Sequence, residues 1–183
     1  MEKDALTAGV SEIGGLFTTA EIRVLICYIF SSIGKEIPGN LLANTLHYEG
    51  IANCFEVNDS IDYLCQKGQL ELVSREDDTY LITEKGKDVA ETLKTSLSVV
   101  VKERAYNAAL KMYSRFKNAK ETDIKISREG EKTFITCSAF DNDTPFMSIK
   151  LLVSDEEQAI HIKEKFLNNP TEIYSTIIEL LTK

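Results

Sequence analysis

The chain has 183 residues, 43% of them apolar, and a formal net charge of −8 at pH 7. This length suits one compact domain or two small ones, and the apolar fraction is enough for a hydrophobic core. There is no run of about 18 apolar residues, so we expect no membrane span. Residues 1–15 lack the basic start and apolar block of a signal peptide. We therefore expect a cytoplasmic protein.

The chain has few residues of the types that usually form catalytic or metal sites. Of the four cysteines, none forms a CxxC pair, and Cys27 and Cys65 fall inside apolar helical patterns, which favours small core residues over metal ligands or disulfide partners. The two histidines, His47 and His161, lie in different halves of the chain. No Gly-rich phosphate loop, zinc motif or GxSxG elbow is present. The sequence therefore favours a protein that is not an enzyme and has no metal site or cofactor.

Three apolar residues near the N-terminus, Leu6, Val10 and Ile13, follow a helical spacing that the pair Gly14-Gly15 interrupts. One interpretation is a short amphipathic arm, because exposed apolar arms commonly pack on a partner subunit. The other interpretation is a frayed terminus. The first makes these three residues candidates for the interface of a homodimer.

Three helices are predicted between residues 18 and 68, and each ends at a glycine that can adopt a left-handed conformation: Gly34, Gly50 and Gly68. The first begins with the capping-box pattern Thr18-x-x-Glu21. The second begins at Pro38, which suits the first turn of a helix. The third presents one apolar face, formed by Val57, Ile61 and Leu64.

The stretch after the third helix predicts a two-stranded β-hairpin. Leu70-Glu71-Leu72 and Tyr80-Leu81-Ile82 have the apolar pattern of half-buried strands, and the acidic sequence Glu76-Asp77-Asp78 connects them. Thr83 then suits the N-cap of a further helix. A helix followed directly by a hairpin is the second half of a winged helix-turn-helix.

Several blocks of the chain resemble known bacterial proteins. The sequence Ile82-Thr83-Glu84-Lys85-Gly86 resembles the Leu-Thr-x-x-Gly pattern that ends the wing strand of PadR-type and MarR-type winged-helix regulators, with Ile82 in place of the leucine. The blocks IRVLICYIF, YLCQKGQLELV and YLITEKGKDV make the chain similar to a bacterial family known only as a domain of unknown function. This resemblance implies an N-terminal winged helix followed by an α+β half, and it implies no activity.

The second half of this α+β chain is predicted to contain a helix, a three-stranded antiparallel meander and two further helices. The serines and β-branched residues of 96–101 interrupt the preceding helix. We therefore place a boundary between a winged-helix domain of residues 1–96, with its N-terminal arm, and an α+β domain of residues 97–183. The strands are predicted at 123–128, 133–140 and 146–153. The capping-box pattern Ser154-x-x-Glu157 opens the helix that follows.

The excess negative charge lies in the first half. Residues 1–96 contain 8 Lys/Arg and 16 Asp/Glu, whereas residues 97–183 contain 13 of each. A single basic strip follows the predicted boundary: Lys102, Arg104, Lys111, Arg115, Lys117 and Lys120. In one interpretation the strip contacts phosphate, and in the other it pairs with the acidic half, in the same chain or across a dimer.

The predicted fold and the family resemblance favour a transcriptional regulator that binds DNA as a homodimer, with the third helix in the major groove. Asn58, Tyr63 and Gln66 on the outward face of that helix would read bases, while Lys67 and Arg75 would contact the backbone. Phosphate neutralisation supplies much of the affinity of such proteins. The acidic first half therefore favours the alternative, a winged helix that serves as a protein–protein interaction or assembly module without binding DNA.

Overall fold

The computed structural model describes residues 18–183 as a mixed α+β chain, so the predicted dimerisation residues Leu6, Val10 and Ile13 lie outside the described part. Seven α-helices and two three-stranded antiparallel sheets occur among the described residues. Their order is α1 (Thr19–Ile33), β1 (Ile37–Pro38), α2 (Gly39–Tyr48), α3 (Cys54–Gln66), β2 (Leu70–Ser74), β3 (Thr79–Ile82), α4 (Glu84–Leu93), α5 (Val99–Lys120), β4 (Thr122–Glu129), β5 (Lys132–Asp141), β6 (Thr144–Val153), α6 (Glu156–Asn168) and α7 (Pro170–Thr182). No described helix has both the length and the apolar character that crossing a membrane requires.

Helix α1 begins and ends where its sequence predicts. The side chain of Thr18 accepts from the backbone N–H of Glu21 at 3.2 Å, and the Glu21 carboxylate accepts from the Thr18 N–H at 3.1 Å, so the capping box is confirmed. Gly34 ends the helix with φ 64°, in the left-handed region that glycine adopts without strain. Both ends of α1 are therefore fixed by local interactions.

The first sheet has the strand order β1-β3-β2, and all its pairings are antiparallel. The two predicted strands of the hairpin are present, with Leu70 opposite Ile82. The expectation of only two strands is wrong, however, because Ile37 and Pro38 pair with β3, and α2 starts at Gly39 rather than at Pro38. A strand of two residues is too short to produce any apolar periodicity, so the sequence pattern could not indicate it.

The junction between the hairpin and α4 is tightly constrained. The Thr83 side chain accepts from the backbone N–H of Gly86 at 3.2 Å, which confirms the predicted cap, and it donates to the carbonyl oxygen of Gly68 at 2.8 Å. A β-carbon added at Gly86 would lie 2.2 Å from the carbonyl oxygen of Gln69. Thr83 and Gly86 together therefore let the first turn of α4 lie directly against the end of α3.

Most of the N-terminal core is formed by aliphatic side chains of α1, α2 and α3. The largest fully buried members include Phe30 and a set of aliphatic residues: Ile22, Leu25, Ile26, Ile29, Ile37, Leu42, Leu46, Ile51, Leu64 and Leu70. Val101, Ala105 and Ala109 of α5 belong to the same core. The first half of α5 therefore packs with the helices that precede it.

The second sheet has the strand order β4-β5-β6, as the predicted meander requires. Ile135 and Cys137 of β5 are buried in a separate core with Phe166 of α6. The capping box predicted from Ser154 and Glu157 is wrong, and the N-cap of α6 lies one residue later. Asp155 is the N-cap and accepts from the Gln158 N–H at 2.7 Å, because Ser154 lies one residue too early to close the first turn.

The chain divides into two compact units, Met1–Met112 and Tyr113–Lys183. A short 3-10 turn, Lys94–Ser96, ends with Ser96, after which the sequence predicts the domain boundary. The predicted division into two domains after Ser96 stays a prediction.

Candidate nucleic-acid interface

Helix α3 is held in place by its N-cap and its apolar face. The Asn53 side chain accepts from the backbone N–H of Phe55 at 2.9 Å. Val57, Ile61 and Leu64 are buried, as the helical spacing predicts. Ser60 is buried with them, and its hydroxyl has no hydrogen-bond partner among the described residues. The helix therefore has one buried face and one face that remains open.

The three predicted base-contacting residues differ in their exposure. Gln66 is exposed, whereas Asn58 and Tyr63 are half-buried. Tyr63 does not project freely, because the guanidinium carbon of Arg23 lies 3.5 Å from the centroid of its ring. Of the three, Gln66 is therefore the side chain that a base could reach without rearrangement.

Arg23 and Lys67 both lie near the Tyr63 ring, and Lys85 is bonded to the backbone of Lys67. The ammonium nitrogen of Lys67 lies 5.4 Å from the same ring centroid, and that of Lys85 donates to the carbonyl oxygen of Lys67 at 2.7 Å. We call Arg23, Tyr63, Lys67 and Lys85 the Tyr63 cation cluster. The sequence analysis did not identify Arg23 as a candidate. Its charge inside the apolar block IRVLICYIF is the feature that could have indicated a special role.

The open face of α3 is acidic from Glu56 to Asp62. Asp59 and Asp62 are exposed, and Glu56 is half-buried. Burial raises the pKa of the Cys65 thiol, and the negative charge of Asp62 raises it further. Carboxylates here repel phosphate, so an approaching nucleic acid would meet favourable charge only near the C-terminal end of α3.

Arg75, the predicted backbone contact on the hairpin, is exposed in the turn between β2 and β3. The register shifts between Leu72 and Ser74, which leaves Val73 as an extra residue in β2. Asp78, in the same turn, has a positive φ of 53°. The turn therefore has a defined shape and presents Arg75 to solvent.

The N-terminal part of the basic strip binds groups of the chain itself. The ammonium group of Lys102 donates to the carbonyl oxygen of Lys94 at 2.8 Å, and the guanidinium of Arg104 donates to that of Glu49 at 2.6 Å. These partners are backbone carbonyls rather than the acidic side chains that the sequence suggested. Both cations therefore tie α5 to neighbouring segments of the first unit.

The C-terminal part of the strip is also largely engaged. Arg115 forms an ion pair with Glu164 at 2.8 Å and a hydrogen bond to Asn168 at 2.9 Å. Lys117 pairs with Glu121 at 3.7 Å, and Lys120 lies 4.8 Å from the ring centroid of Phe116. Lys111 is exposed. The strip is therefore less available to phosphate than its sequence indicates.

Two large aromatic side chains near the turn that joins α2 and α3 are exposed to solvent. Tyr48 is 87% exposed and Phe55 is 71% exposed. The exposed Glu49 and the half-buried Glu56 follow them directly in the chain. The helical apolar pattern did not identify these two residues, because they fall outside the stripes that form the core.

No group of three or more potential metal ligands occurs in the described part of the chain. The cysteines are free thiols, and burial raises the pKa of Cys27 to about 11. A thiol with a raised pKa is a poor nucleophile at neutral pH. Cys27 is therefore an unreactive core residue.

A protein-family model described as Domain of unknown function (DUF4364) matches residues 22–181. The chain belongs to this family. The match begins within α1 and ends within α7, so it includes both compact units. A search of curated proteins and a search of solved structures each found no match. The family description assigns no activity.

Proposed function

We propose that this protein is a winged-helix transcriptional regulator that binds DNA as a homodimer. The observation that carries the proposal is the element order α1-β1-α2-α3-β2-β3 with the sheet order β1-β3-β2. Two helices joined by a short turn and followed by a hairpin are typical of winged helix-turn-helix proteins, in which the second helix of the pair enters the major groove. Here that helix is α3.

The surface of α3 supports this proposal at one end. Gln66 is exposed, and an amide side chain can form a bidentate contact to adenine. Lys67 and the turn residue Arg75 are also exposed and can contact phosphates on either side of a groove. Tyr63 lies under Arg23 and Asn58 is half-buried, so both contribute to base recognition only if their side chains rearrange on DNA.

The dimeric part of the proposal is supported by the last helix. Leu180 and Leu181 of α7 are 72% and 78% exposed, and Ile178 is also exposed. Ile173 and Ile177, on the same apolar side of α7, pack against the core of the second unit. Exposed apolar surface of this kind marks association sites, and two-fold dimers are the commonest assemblies.

A selection of random DNA duplexes by the purified protein at low salt tests this function. We expect enrichment of a sequence with two-fold symmetry, because a symmetric dimer presents two equivalent α3 helices. The Gln66→Ala variant serves as the matched control, and we expect it to enrich a sequence with altered preference at one position in each half-site. If the wild-type protein enriches no sequence, the regulator proposal is wrong.

The exposed aromatic pair favours a second candidate function, an acidic protein-interaction module without DNA binding. Tyr48 and Phe55 provide the apolar anchors that protein interfaces use, and Asp59 and Asp62 provide a negative rim. Such a surface suits a basic partner. Affinity purification with the wild type and with Phe55→Ser tests it, because a specific partner should be lost with the variant. Retention of every partner by Phe55→Ser would contradict this role.

A further inference from the structure

Cations are scarce in the first half of the chain, yet two of them lie at the Tyr63 ring and a third is bonded to the backbone of one of these two. Residues 1–96 contain 8 Lys/Arg against 16 Asp/Glu. Arg23 and Lys67 both lie near the Tyr63 ring, at 3.5 Å and 5.4 Å from its centroid, and Lys85 is bonded to the carbonyl oxygen of Lys67. Like charges gathered in this way repel one another unless an anion is nearby.

These three cations also lack the partners that other cations of the chain have. Lys87 pairs with Glu84 at 2.6 Å, and Lys94 pairs with Glu91 at 2.6 Å. Within the described residues, Arg23, Lys67 and Lys85 form no ion pair with a carboxylate. The Nε atom of Arg23 is buried and has no hydrogen-bond partner in that part of the chain. No carboxylate of residues 18–183 therefore forms an ion pair with the cations of the cluster.

The cluster lies at a specific place on the open face of α3. Tyr63 and Lys67 are one helical turn apart, and the exposed Gln66 is adjacent to Lys67. The carboxylates of Asp59 and Asp62 precede them. Phosphate is consequently repelled from the helix as far as Asp62, which directly precedes Tyr63, and attracted only to the last turn.

We propose that the Tyr63 cation cluster is the phosphate-binding site through which this protein docks on the DNA backbone. Lys67 and Lys85 contact the phosphate, while Arg23 stacks on Tyr63 and adds charge beneath it. Gln66 is then the α3 residue that contacts a base, and Asn58 is not. This inference rests on the proposed DNA-binding function and specifies which end of α3 makes the contact.

The decisive measurement is the salt dependence of binding to a duplex that the wild-type protein selects. Each phosphate contact contributes about one unit to the slope of log affinity against log salt concentration. We expect Lys67→Gln and Lys85→Gln each to reduce the slope by about one unit and the double variant by about two. The matched control Lys94→Gln removes the same charge from a lysine that is paired with Glu91, and it should leave the slope unchanged.

Base preference supplies a second readout. Loss of one bidentate base contact reduces discrimination roughly 10- to 100-fold. We expect this loss for Gln66→Ala at one base pair of each half-site, and we expect no change in preference for Asn58→Ala. Thermal unfolding of each variant verifies that it is folded. If Lys85→Gln does not fold, Lys67→Gln alone decides the matter, because among residues 18–183 the exposed Lys67 side chain contacts only the Tyr63 ring.

The results of these measurements distinguish a wrong phosphate site from a wrong DNA-binding function. If the wild-type protein selects a duplex but Lys67→Gln and Lys85→Gln retain the wild-type slope, the phosphate site is elsewhere and the DNA-binding function stands. A slope reduced equally by Lys94→Gln would also overturn the inference, because general charge would explain it. If the wild type binds no duplex at any salt concentration, both the function and the site are wrong.

Discussion

The carboxylate of Asp78 accepts a hydrogen bond from the backbone N–H of Asn40 at 2.9 Å, so a residue of the β2–β3 turn caps a helix whose second residue lies 38 residues earlier in the chain. The Asp78 carbonyl oxygen accepts from the Gly39 N–H at 2.8 Å, and its other carboxylate oxygen accepts from the Tyr80 hydroxyl at 3.0 Å. Pro38, at the N-cap position of α2, provides no side-chain cap. The hairpin therefore supplies the capping group that the helix's own sequence lacks.

Substitution of Asp78 by Asn should lower the free energy of unfolding by about 1 kcal/mol, because a neutral amide replaces a charged acceptor at a helix N-terminus. Asparagine tolerates the positive φ of this position, so the change isolates the charge. Urea unfolding measures the difference. Glu76→Gln, an exposed position in the same turn, is the control and should change stability by less than about 0.5 kcal/mol. Equal losses from the two variants would contradict the capping role.

Stability should fall at high pH because of Tyr80. Burial is the largest cause that raises the pKa of Tyr80 from 10.0 to about 12, and the hydrogen bond to Asp78 and the negative charge of Asp78 contribute in the same direction. The folded state thus binds the phenol proton more tightly than the unfolded state. Its contribution to stability is present below pH 10.0 and is lost as the pH rises toward about 12.

The titration of Tyr80 can be followed by the ultraviolet absorbance of tyrosinate in wild-type protein and in Tyr80→Phe. Asp78→Asn should lower the pKa of Tyr80 toward its ordinary value and make unfolding less dependent on pH in this range. An unchanged pKa in Asp78→Asn would show that Asp78 does not contribute to the shift.

Substitution of Gly86 by Ala should destabilise the protein by about 3 kcal/mol, as overpacking of a close contact does. The added β-carbon would lie 2.2 Å from the carbonyl oxygen of Gln69 and 2.7 Å from Cγ1 of Ile82. Helix propensity alone predicts the opposite sign, a gain of up to about 1 kcal/mol. The sign of the change in denaturant midpoint therefore distinguishes the two effects.

Gly34→Ala provides a contrasting control for Gly86. No atom lies within 4 Å of a β-carbon at Gly34, but its φ of 64° is unfavourable for alanine. We expect a loss of about 1–2 kcal/mol from the backbone conformation alone. If Gly86→Ala proves no worse than Gly34→Ala, the close approach of α4 to Gln69 does not limit stability.

Substitution of Leu181 by Glu should convert a dimer into a 20.5 kDa monomer, because it places a charge in the exposed apolar surface of α7. Sedimentation at micromolar concentration measures the change. Ser175→Glu adds the same charge at an exposed position of α7 outside the apolar side, and it should leave the assembly intact. A wild-type protein that sediments only as a monomer would exclude the dimer.

Local patterns in the sequence were sufficient to predict most elements of this protein. The Thr18–Glu21 capping box, the apolar face of α3 and the Thr83 cap depend on residues within one or two helical turns of each other. The meander β4-β5-β6 likewise follows from alternation within each strand. Interactions of this short range are encoded in residue spacing, so they can be predicted without a structure.

The candidate site was only partly predictable, because side-chain availability depends on distant residues. Spacing placed Tyr63 on the open face of α3, but Arg23 of α1 lies across its ring. The basic strip of α5 looked available, yet Lys102 and Arg104 are bonded to backbone carbonyls of other segments. Exposure is a property of the packed chain rather than of any one helix.

The sequence by itself determined the helices, the hairpin, the second sheet and the acidic character of the first half, since each depends on nearby residues or on composition alone. Tertiary structure decided the pairing of Ile37 with Tyr80, the capping of α2 by Asp78 and the gathering of Arg23, Lys67 and Lys85. These contacts join residues that are far apart in the chain. They form only when the buried faces of the helices pack together, and that packing brings such residues within hydrogen-bonding distance.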